Sequence, residues 1–493
     1  MKGDLGHMSA LKRWMPFTAE QTVNILTEQN VEASLATLGS GDVLIAPELG
    51  DFSATDFAHG ASLIPAAEVA TRAAAAALAP LALEPEAYAA WRSAQRHPAG
   101  PQRYAEVVVD TSALRRVRPA TVDSLVGAHP DPRDVEGVIT TLLGTDDFDT
   151  IAASAAPGPD GTVLTLKPVE KPWGPNYLHA GGALTTDFTG ASEFLLVLDH
   201  RATWLTASGL EWRNRVHVGW LNELDSELRQ PLDDARRIFL APSLTIGQEL
   251  RSLYQEHDPL STYRVQHGRV AIDVGARLGN SGELSGGFEY GYDGTALSSG
   301  VAQLPDGHQR VAAWRAQLTI DRLDNFEFPR RGYLISIDGR FARPVLGAQA
   351  DFDRLSVDWQ QGFGGGRTSV LVEARLDTAL GGTLPLAEAF ALGGFQNLSG
   401  FKRDQVLASR IAFLRAVARE RIVGFPPLLP SLYAGLSLEG ADVSGRIDGG
   451  GPGRFYGGSV FVSADSALGP LYLGLGVAER SYVSLYLYVG RPP

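Results

Sequence analysis

The sequence predicts a mainly β protein, in which a closed membrane-spanning barrel of about 16 strands follows two smaller regions that contain helices. Apolar and polar residues alternate with a period of two through residues 173–493, in runs of about nine residues that end at Gly, Pro, Asn or Asp. At about 20 residues for each strand and its turn, this stretch holds roughly 16 strands, an even number as spanning barrels prefer. Glycine contributes 55 of 493 residues, against a usual share of about 7%, which indicates many turns and tightly packed strands.

The alternation favours a spanning barrel because both faces of each run have a defined character. Apolar residues would face lipid, whereas opposed charges occupy the polar face, as a water-filled lumen allows. The apolar faces include Val270/Ile272/Val274, Leu355/Val357/Trp359, Val370/Val372/Leu376 and Val483/Leu485/Leu487, and the polar faces carry Asp273/Arg277, Asp338/Arg340 and Glu373/Arg375. A soluble multi-sheet β domain and a propeller are the alternatives, although no blade-like repeat is visible.

The first region, residues 1–97, has the character of part of an α/β domain. A helix is predicted at Thr18–Leu38, with Thr18 as its cap, and a second helical stretch at Pro65–Arg96, which is rich in alanine. Between them, the apolar run Val43–Leu49 predicts a buried strand. Because one strand cannot form a doubly wound sheet, we expect this region to be the end of a larger domain.

Residues 98–172 predict a small α+β unit. Its elements follow the order strand (Tyr104–Asp110), helix (Pro119–Val126), helix (Asp131–Leu143) and then two strands. The second helix begins with a carboxylate near its positive end, which stabilises a helix start.

Composition and motifs exclude several kinds of protein. The absence of cysteine excludes a disulfide scaffold and a thiolate metal site. The net charge of −13, from 43 basic and 56 acidic residues, argues against a nucleic-acid partner. No apolar run is long enough for a transmembrane helix, and the N-terminus lacks the apolar stretch of a signal peptide. Because His7, His59, His97 and His179 lack metal-binding spacing, we predict no metal site, and we predict no cofactor.

Four stretches of the predicted barrel resemble the bacterial surface antigen superfamily, the barrels of outer-membrane assembly and two-partner secretion. PRRGYLISIDGRF resembles the opening of a strand that carries Pro329 and Gly332, and VFVSADSALGPLYLGLGV resembles the penultimate strand, with Gly469 and Pro470. SYVSLYLYVGRPP resembles the last strand. ALGGFQNLSGFKRDQV resembles a motif on a loop that folds into the barrel lumen, here Gly393, Gly394, Ser399, Gly400, Phe401, Lys402 and Arg403.

The N-terminal regions extend the resemblance to nearly the whole chain. Residues 98–172, which run into EKPWGP, look like one POTRA domain, and residues 29–70 resemble the last part of a patatin-like lipid acyl hydrolase. This order resembles the patatin-like phospholipases among the type Vd autotransporters. The resemblance implies a patatin remnant at 1–97, a POTRA domain at 98–172 in the periplasm, and an outer-membrane barrel at 173–493.

The chain departs from the family pattern at three places. Ser399 stands where the family usually has an arginine that contacts a lumenal acid, so that contact would be lost unless Lys402 or Arg403 replaces it. The chain ends in Pro-Pro instead of an aromatic residue. No G-x-S-x-G nucleophile motif is present, and Asp448-Gly449-Gly450 is better explained as a turn than as a catalytic aspartate. We therefore predict no catalytic residue, and expect the chain to be the C-terminal portion of a longer protein or a degenerate relative.

The resemblance implies a function and a set of partners. The barrel would anchor and translocate or display a patatin-like hydrolase, with outer-membrane lipid and the barrel assembly machinery as partners and a homo-oligomer left open. One alternative is a phospholipase in lipid metabolism as part of the full-length protein, and another is a soluble all-β binding protein. Tyr472, Tyr482, Tyr486, Tyr488 and Trp359 are candidates either for membrane-interface belts or for packing inside the barrel.

Overall fold

The structure, a computed structural model, consists of two compact units, residues 1–100 and 101–493. Most of the predicted helix Thr18–Leu38 and the closing Pro-Pro pair lie outside the described residues. The described residues are 35–39, 41–48, 63–95, 104–127, 131, 134–186, 192–255, 258–279, 281–325, 327–422, 431–466, 469–479 and 482–490.

The described residues of the first unit include three α-helices. The helices are α1 (Leu63–Ala73), α2 (Ala75–Leu78) and α3 (Pro85–Gln95), in agreement with the predicted helical stretch. The predicted strand at Val43–Leu49 is wrong over its described part, because residues 42–48 form no strand and Leu44 is 59% exposed. A strand satisfies its backbone groups only through a neighbouring strand, and within the described residues of this unit there is none.

The second unit begins with a small mixed region, residues 104–170. It contains β1 (Glu106–Val109), α4 (Pro119–Gly127), α5 (Val135–Leu143), β2 (Phe148–Gly158) and β3 (Gly161–Glu170), the predicted order of elements. The strands form a sheet in the order β1-β3-β2, with β1 parallel and β2 antiparallel to β3. Asp134 caps α5 by accepting a hydrogen bond from the Gly137 N–H at 3.1 Å.

This region has its own hydrophobic core. The core contains fully buried residues from both helices and from β3, namely Val122, Val138, Leu142 and Leu166. The helices therefore bury their apolar stripes together with one face of the sheet.

The rest of the unit is a closed antiparallel barrel, as predicted. Within the described residues it has sixteen long strands, because the three-residue β15 (Phe390–Leu392) only extends the pairing of β16 beside β14. The strands are β4 (Asn176–Thr186), β5 (Ser192–Ala202), β6 (Glu211–Gly219), β7 (Leu221–Pro231), β8 (Ile238–Gln255), β9 (Asp258–Arg277), β10 (Gly282–Gly300), β11 (Gly307–Asp321), β12 (Gly332–Ala342), β13 (Phe352–Gly365), β14 (Thr368–Gly382), β16 (Val406–Arg421), β17 (Leu432–Arg446), β18 (Gly453–Ala464), β19 (Leu471–Ala478) and β20 (Tyr482–Val489).

The predicted inside and outside faces are confirmed. Val270, Ile272 and Val274 point outwards and are about half exposed, whereas Asp273 on the same strand is buried. On β20, Val483 and Leu487 point outwards, and Tyr482 and Tyr486 are buried inside with Tyr472 of β19. These tyrosines therefore pack inside the barrel, whereas Trp359 lies on the outer face and is 37% exposed.

The barrel closes where β20 pairs with β4, over five residue pairs from Leu485↔Thr186 to Val489↔Gly182. Two rims follow from the chain path. The turns 203–210 and 232–237 lie at the end next to the small mixed region, which we call the near rim. The loops that follow β6, β14 and β17 lie at the opposite end, the far rim. No helix in the described part of the chain is long and apolar enough to cross a membrane.

Candidate functional site

The connection between β14 and β16, residues 383–405, lies against the inner face of the barrel wall. We call it the inner loop. Its backbone turns sharply at several positions with positive φ, namely Gly393, Gly394, Gln396, Leu398, Gly400 and Asp404. Its first arm (383–392), its tip (393–401) and its second arm (402–405) contact inward-facing side chains of the wall, so the loop fills part of the lumen.

The first arm of the inner loop is held by buried charges. Glu388, only 3% exposed, accepts hydrogen bonds from Arg269 at 2.7 Å and from Arg340 at 2.8 Å. Arg251 donates to the carbonyl oxygens of Leu386 and Ala389 at 2.8 and 2.9 Å. Three strands, β8, β9 and β12, thus bind one short loop segment, and charged hydrogen bonds of this kind are the strong ones.

The tip of the inner loop binds a lumenal acid through Ser399 itself. The Ser399 hydroxyl donates to Glu439 Oε1 of β17 at 2.8 Å, and the Ser399 backbone N–H donates to Glu439 Oε2. Arg403 makes a guanidinium contact to an inward-facing acid, Glu193 of β5, and Ser399 binds Glu439 without one. A short side chain suffices here because the loop backbone lies close enough to the wall to donate directly.

Gly400 and Phe401 fit the tip against the last strands. The Gly400 N–H donates to the Tyr486 hydroxyl at 3.0 Å, and its carbonyl accepts from Ser484 at 3.1 Å. A Cβ on Gly400 would lie 2.5 Å from the backbone nitrogen of Ala478, a distance that side chains do not tolerate. Phe401 is 3% exposed and packs against Tyr482, with ring centroids 4.6 Å apart.

Gly393 and Gly394 close the loop on itself. The Gly393 N–H donates to the Asn397 carbonyl at 2.7 Å, and the Gly394 N–H donates to the Phe401 carbonyl at 3.2 Å. Both have positive φ, 127° and 107°, and a Cβ on Gly393 would collide with the carbonyl oxygen of Lys402. The two glycines therefore permit the reversal that brings Ser399 to the wall.

Lys402 and Arg403 follow the tip on the side of the barrel seam. The Lys402 N–H donates to Gln405 Oε1 at 2.8 Å. The Arg403 guanidinium donates to both carboxylate oxygens of Glu193 on β5 at 3.3 Å, and it lies over the ring of Trp220. A cavity of about 450 Å³ beside this part of the loop is also lined by residues of β4, β5 and β20.

The residues of the strand motifs lie at near-rim turns. Pro329 precedes β12, and Gly332 begins it with a φ of 88°; a Cβ there would lie 1.8 Å from the Arg322 carbonyl oxygen. Gly469, with a φ of 95°, and Pro470 precede β19, and the Pro470 carbonyl accepts from the Gly490 N–H at 2.8 Å. Asp448 lies in the far-rim turn after β17, where its carboxylate binds Arg446 and the Gly450 N–H.

Lumen charges pair both across strands and along them, as Arg375 does with Asp377 on β14. Glu373 pairs with Arg415, which is opposite it on β16, and Asp273 pairs with Arg315 of β11. The sequence signal, a charge on the polar face, was visible for each residue. The partners were not, because strand pairing joins residues that lie about 40 positions apart in the chain.

A buried ion cluster joins the small mixed region to the near rim. Arg236, in the turn after β7, pairs with Asp147 at 2.9 Å and also with Glu211 of β6. The Trp204 indole N–H donates to the other Asp147 oxygen at 2.8 Å. Burial raises the pKa of the Asp147 carboxyl above its ordinary value, although Arg236 and Trp204 act in the opposite direction.

A second carboxylate organises the small region itself. Glu170, the last residue of β3, accepts hydrogen bonds from the backbone N–H groups of Arg116 and Val117, both at 2.8 Å. Burial acts to raise the pKa of the Glu170 carboxyl, but these backbone donors and the Arg116 guanidinium together hold it below its ordinary value. Glu170 thereby fixes the segment before α4.

The geometry defines an integral membrane barrel: a closed ring of sixteen strands among the described residues, an apolar outer face and a polar interior occupied by a loop. Residues 223–424 match the Omp85 superfamily domain. This match covers part of the barrel, and the closed ring of strands is an outer-membrane β-barrel with an N-terminal periplasmic region, so the near rim faces the periplasm and the far rim faces outwards.

Solved structures share the fold at low sequence identity. BamA from Haemophilus ducreyi lacking POTRA domains 1–3 has a TM-score of 0.56 at 10% identity, over 79% of this chain and 84% of that chain. CdiB from Acinetobacter baumannii has a TM-score of 0.55 at 10% identity, over 78% of this chain and 74% of that chain. CdiB from Escherichia coli has a TM-score of 0.52 at 14% identity, over 98% of this chain and 99% of that chain. Comparison with curated protein sequences gives no significant match.

Proposed function

We propose that the barrel anchors a polypeptide in the outer membrane and translocates or displays it, and that residues 98–172 serve as its POTRA domain. The observation that carries the proposal is the inner loop, which occupies a polar lumen while the wall around it is closed. The loop is held by polar contacts and by buried apolar residues such as Leu392 and Phe401. Because β14 pairs directly with β16, the loop could leave the lumen while the wall stays closed.

The docked periplasmic region supports the same proposal. Its sheet carries β1 on one edge and β2 on the other, and sheet edges can bind extended peptides by strand addition. The ion cluster around Arg236 fixes this region at the near rim, at the mouth of the lumen. A passenger bound there would reach the barrel from the periplasm.

The passenger we propose is a patatin-like lipid acyl hydrolase, of which residues 1–97 would be the remnant. This part rests on the sequence resemblance. Such hydrolases use a serine nucleophile in a G-x-S-x-G motif, which this sequence does not contain, so the given chain would not hydrolyse esters. The alternative, a phospholipase activity of the full-length protein in lipid metabolism, differs in predicting that the passenger acts on outer-membrane lipid.

Surface display tests the proposal. The chain would be expressed in a Gram-negative host behind a cleavable export signal, with an epitope tag before residue 1. We expect the tag to bind antibody on intact cells, and the barrel to shift its gel migration on heating. A tag that becomes accessible only after the outer membrane is permeabilised would overturn translocation and leave an anchor alone.

An ester-hydrolysis assay tests whether the given chain has hydrolase activity of its own. The purified chain in detergent should not turn over short-chain or phospholipid esters above the rate of a heat-denatured sample. Turnover that is lost on treatment with a serine-directed inhibitor would contradict the assignment of this chain to anchoring and transport.

A further inference from the structure

Two histidines and two carboxylates lie together on the inner wall of strands β6 to β9. His217 of β6 is paired with Glu223 of β7, Glu223 with Gly247 of β8, and Gly247 with His267 of β9. These four positions form one row across the sheet, at right angles to the strands. Asp225 lies two residues from Glu223 on β7, on the same face.

Gly247 makes the row compact. A Cβ at this position would lie 2.6 Å from His267 Nε2 and 3.0 Å from Glu223 Cγ. The glycine therefore leaves the space through which His267 reaches over β8 to Glu223, and the His267 Nε2 to Glu223 Oε2 distance is 2.7 Å. Any larger residue at 247 would separate the two halves of the row.

The donor atoms converge. His217 Nδ1, one Glu223 oxygen and one Asp225 oxygen lie within 4.8 Å of one another. His217 Nδ1 is 3.6 Å from Glu223 Oε1, and among the described residues it has no hydrogen-bond partner although it is shielded from solvent. Thr245 donates to Asp225 Oδ1 at 2.8 Å, which orients that carboxylate in the way that outer groups orient metal ligands.

We propose that this row is a binding site for a divalent transition metal, with zinc as the best fit, through His217, Glu223 and Asp225 and with His267 as the fourth ligand. Imidazole and carboxylate are ligands that Zn²⁺ accepts, commonly in sets of four. Bond lengths of about 2.0–2.2 Å place neighbouring ligand atoms around a tetrahedral zinc about 3.3 Å apart. The three clustered atoms need only close by side-chain rotation, whereas His267, which contacts the other oxygen of Glu223, would have to turn from that oxygen to the ion.

The lumen gives an ion access to the row. The side chains of His217, Glu223 and His267 are 13–17% exposed, so they are neither sealed nor freely solvated. The row lies just below the far-rim turn between β6 and β7, near the outer mouth. A bound ion would tie β6, β7 and β9 together there and would stiffen this half of the wall.

Metal binding by the full chain in detergent micelles tests the site. The protein would be stripped with a chelator, loaded with ZnCl₂, desalted and analysed for bound metal; Co²⁺ would be used in parallel because tetrahedral Co²⁺ absorbs visible light. We expect the wild type to retain about one zinc per chain and to show that absorption. Zinc should also raise the temperature at which the barrel loses its folded gel migration.

The variants His217→Gln and Glu223→Gln should each lose the retained zinc while keeping the heat-dependent gel shift. The matched control is His308→Gln, since His308 packs over Gly294 of a neighbouring strand in the same manner but on the outer face; this variant should retain the metal. If one variant fails to fold, the other and the Co²⁺ spectrum decide. A wild-type chain without retained metal, or variants that bind as much as the wild type, would overturn the proposal.

Discussion

Ser399 and Glu439, 40 residues apart in the chain, form a two-point contact between the tip of the inner loop and the barrel wall. The serine hydroxyl and backbone N–H donate to the two oxygens of one carboxylate, and Ser399 is fully buried. Backbone donation replaces the guanidinium that the family resemblance leads one to expect. The loop is therefore held by its own main chain, and its position depends on how closely it approaches β17.

Substitution at Glu439 should weaken this contact more than substitution at Ser399. Glu439→Leu leaves both Ser399 donors without an acceptor, at about 1–3 kcal/mol for each buried group, whereas Ser399→Ala removes one donor of the pair. We expect Glu439→Leu to lower the free energy of unfolding by at least about 2 kcal/mol, and Ser399→Ala to lower it by about 1–2 kcal/mol. Urea unfolding of the folded barrel, with protease cleavage of the loop as a second readout, measures both. Equal stability of Glu439→Leu and wild type would show that the contact does not hold the loop.

Two loop glycines should differ in what they tolerate. Both Gly400 and Gly394 have φ near 100°, which costs about 1–3 kcal/mol for a residue with a side chain. A Cβ on Gly400 would also lie 2.5 Å from the Ala478 nitrogen, whereas a Cβ on Gly394 would lie 4.0 Å from its nearest neighbour, Arg403 Cα. Gly400→Ala should therefore destabilise the barrel more than Gly394→Ala, which serves as the control for backbone strain. Urea titration followed by unheated gels measures the folded fraction of each variant. Equal losses of stability would mean that the strained φ, and not the contact with Ala478, causes the destabilisation.

Loss of Arg236 should destabilise the contact between the small region and the near rim more than loss of Arg118. Arg236→Met leaves the buried Asp147 without its ion pair, and breaking such a pair costs about 3–5 kcal/mol. Arg118 pairs with Asp234 in a half-exposed setting, so Arg118→Met should cost about 0–1 kcal/mol. Protease cleavage of residues 104–170 in the folded barrel measures release of the small region.

A double variant separates pairing from burial at this junction. Burial raises the pKa of the Asp147 carboxyl, so the buried charge is unfavourable without its partner. Arg236→Met combined with Asp147→Leu should therefore recover part of the stability that Arg236→Met alone loses. No recovery would mean that Arg236 acts mainly through Glu211.

The small region should lose stability in acid through Glu170. Its folded-state pKa lies below the ordinary 4.5, so the contribution is complete above pH about 4.5 and is lost as pH falls through the folded-state pKa. The Asp147 contribution to stability depends on pH in the opposite direction. Because the pKa of its carboxyl is raised in the folded state, the folded state is favoured as pH falls. Comparison of wild type with Glu170→Gln cancels the Asp147 effect. Pulse proteolysis in urea should show a difference between them at pH 7 that shrinks below pH 4.5; a constant difference would contradict the assignment.

The sequence by itself determined the barrel and the faces of its strands. Val270, Ile272 and Val274 had to share one face and Asp273 the other, because side chains alternate along any strand. A polar face bearing opposed charges next to an apolar face is what a wall between lipid and water requires. The helices of the small region followed from their apolar spacing in the same local way.

Only the tertiary structure decided which residues meet. Glu388 with Arg340, Ser399 with Glu439, and His217 with Glu223 and His267 are joined by strand register and by the path of the inner loop. A one-residue change of register would turn each partner to the other face of the wall. Local spacing of histidines could not reveal the row at His217, and the apolar run Val43–Leu49 misled because a strand also depends on a neighbour that its own sequence does not encode.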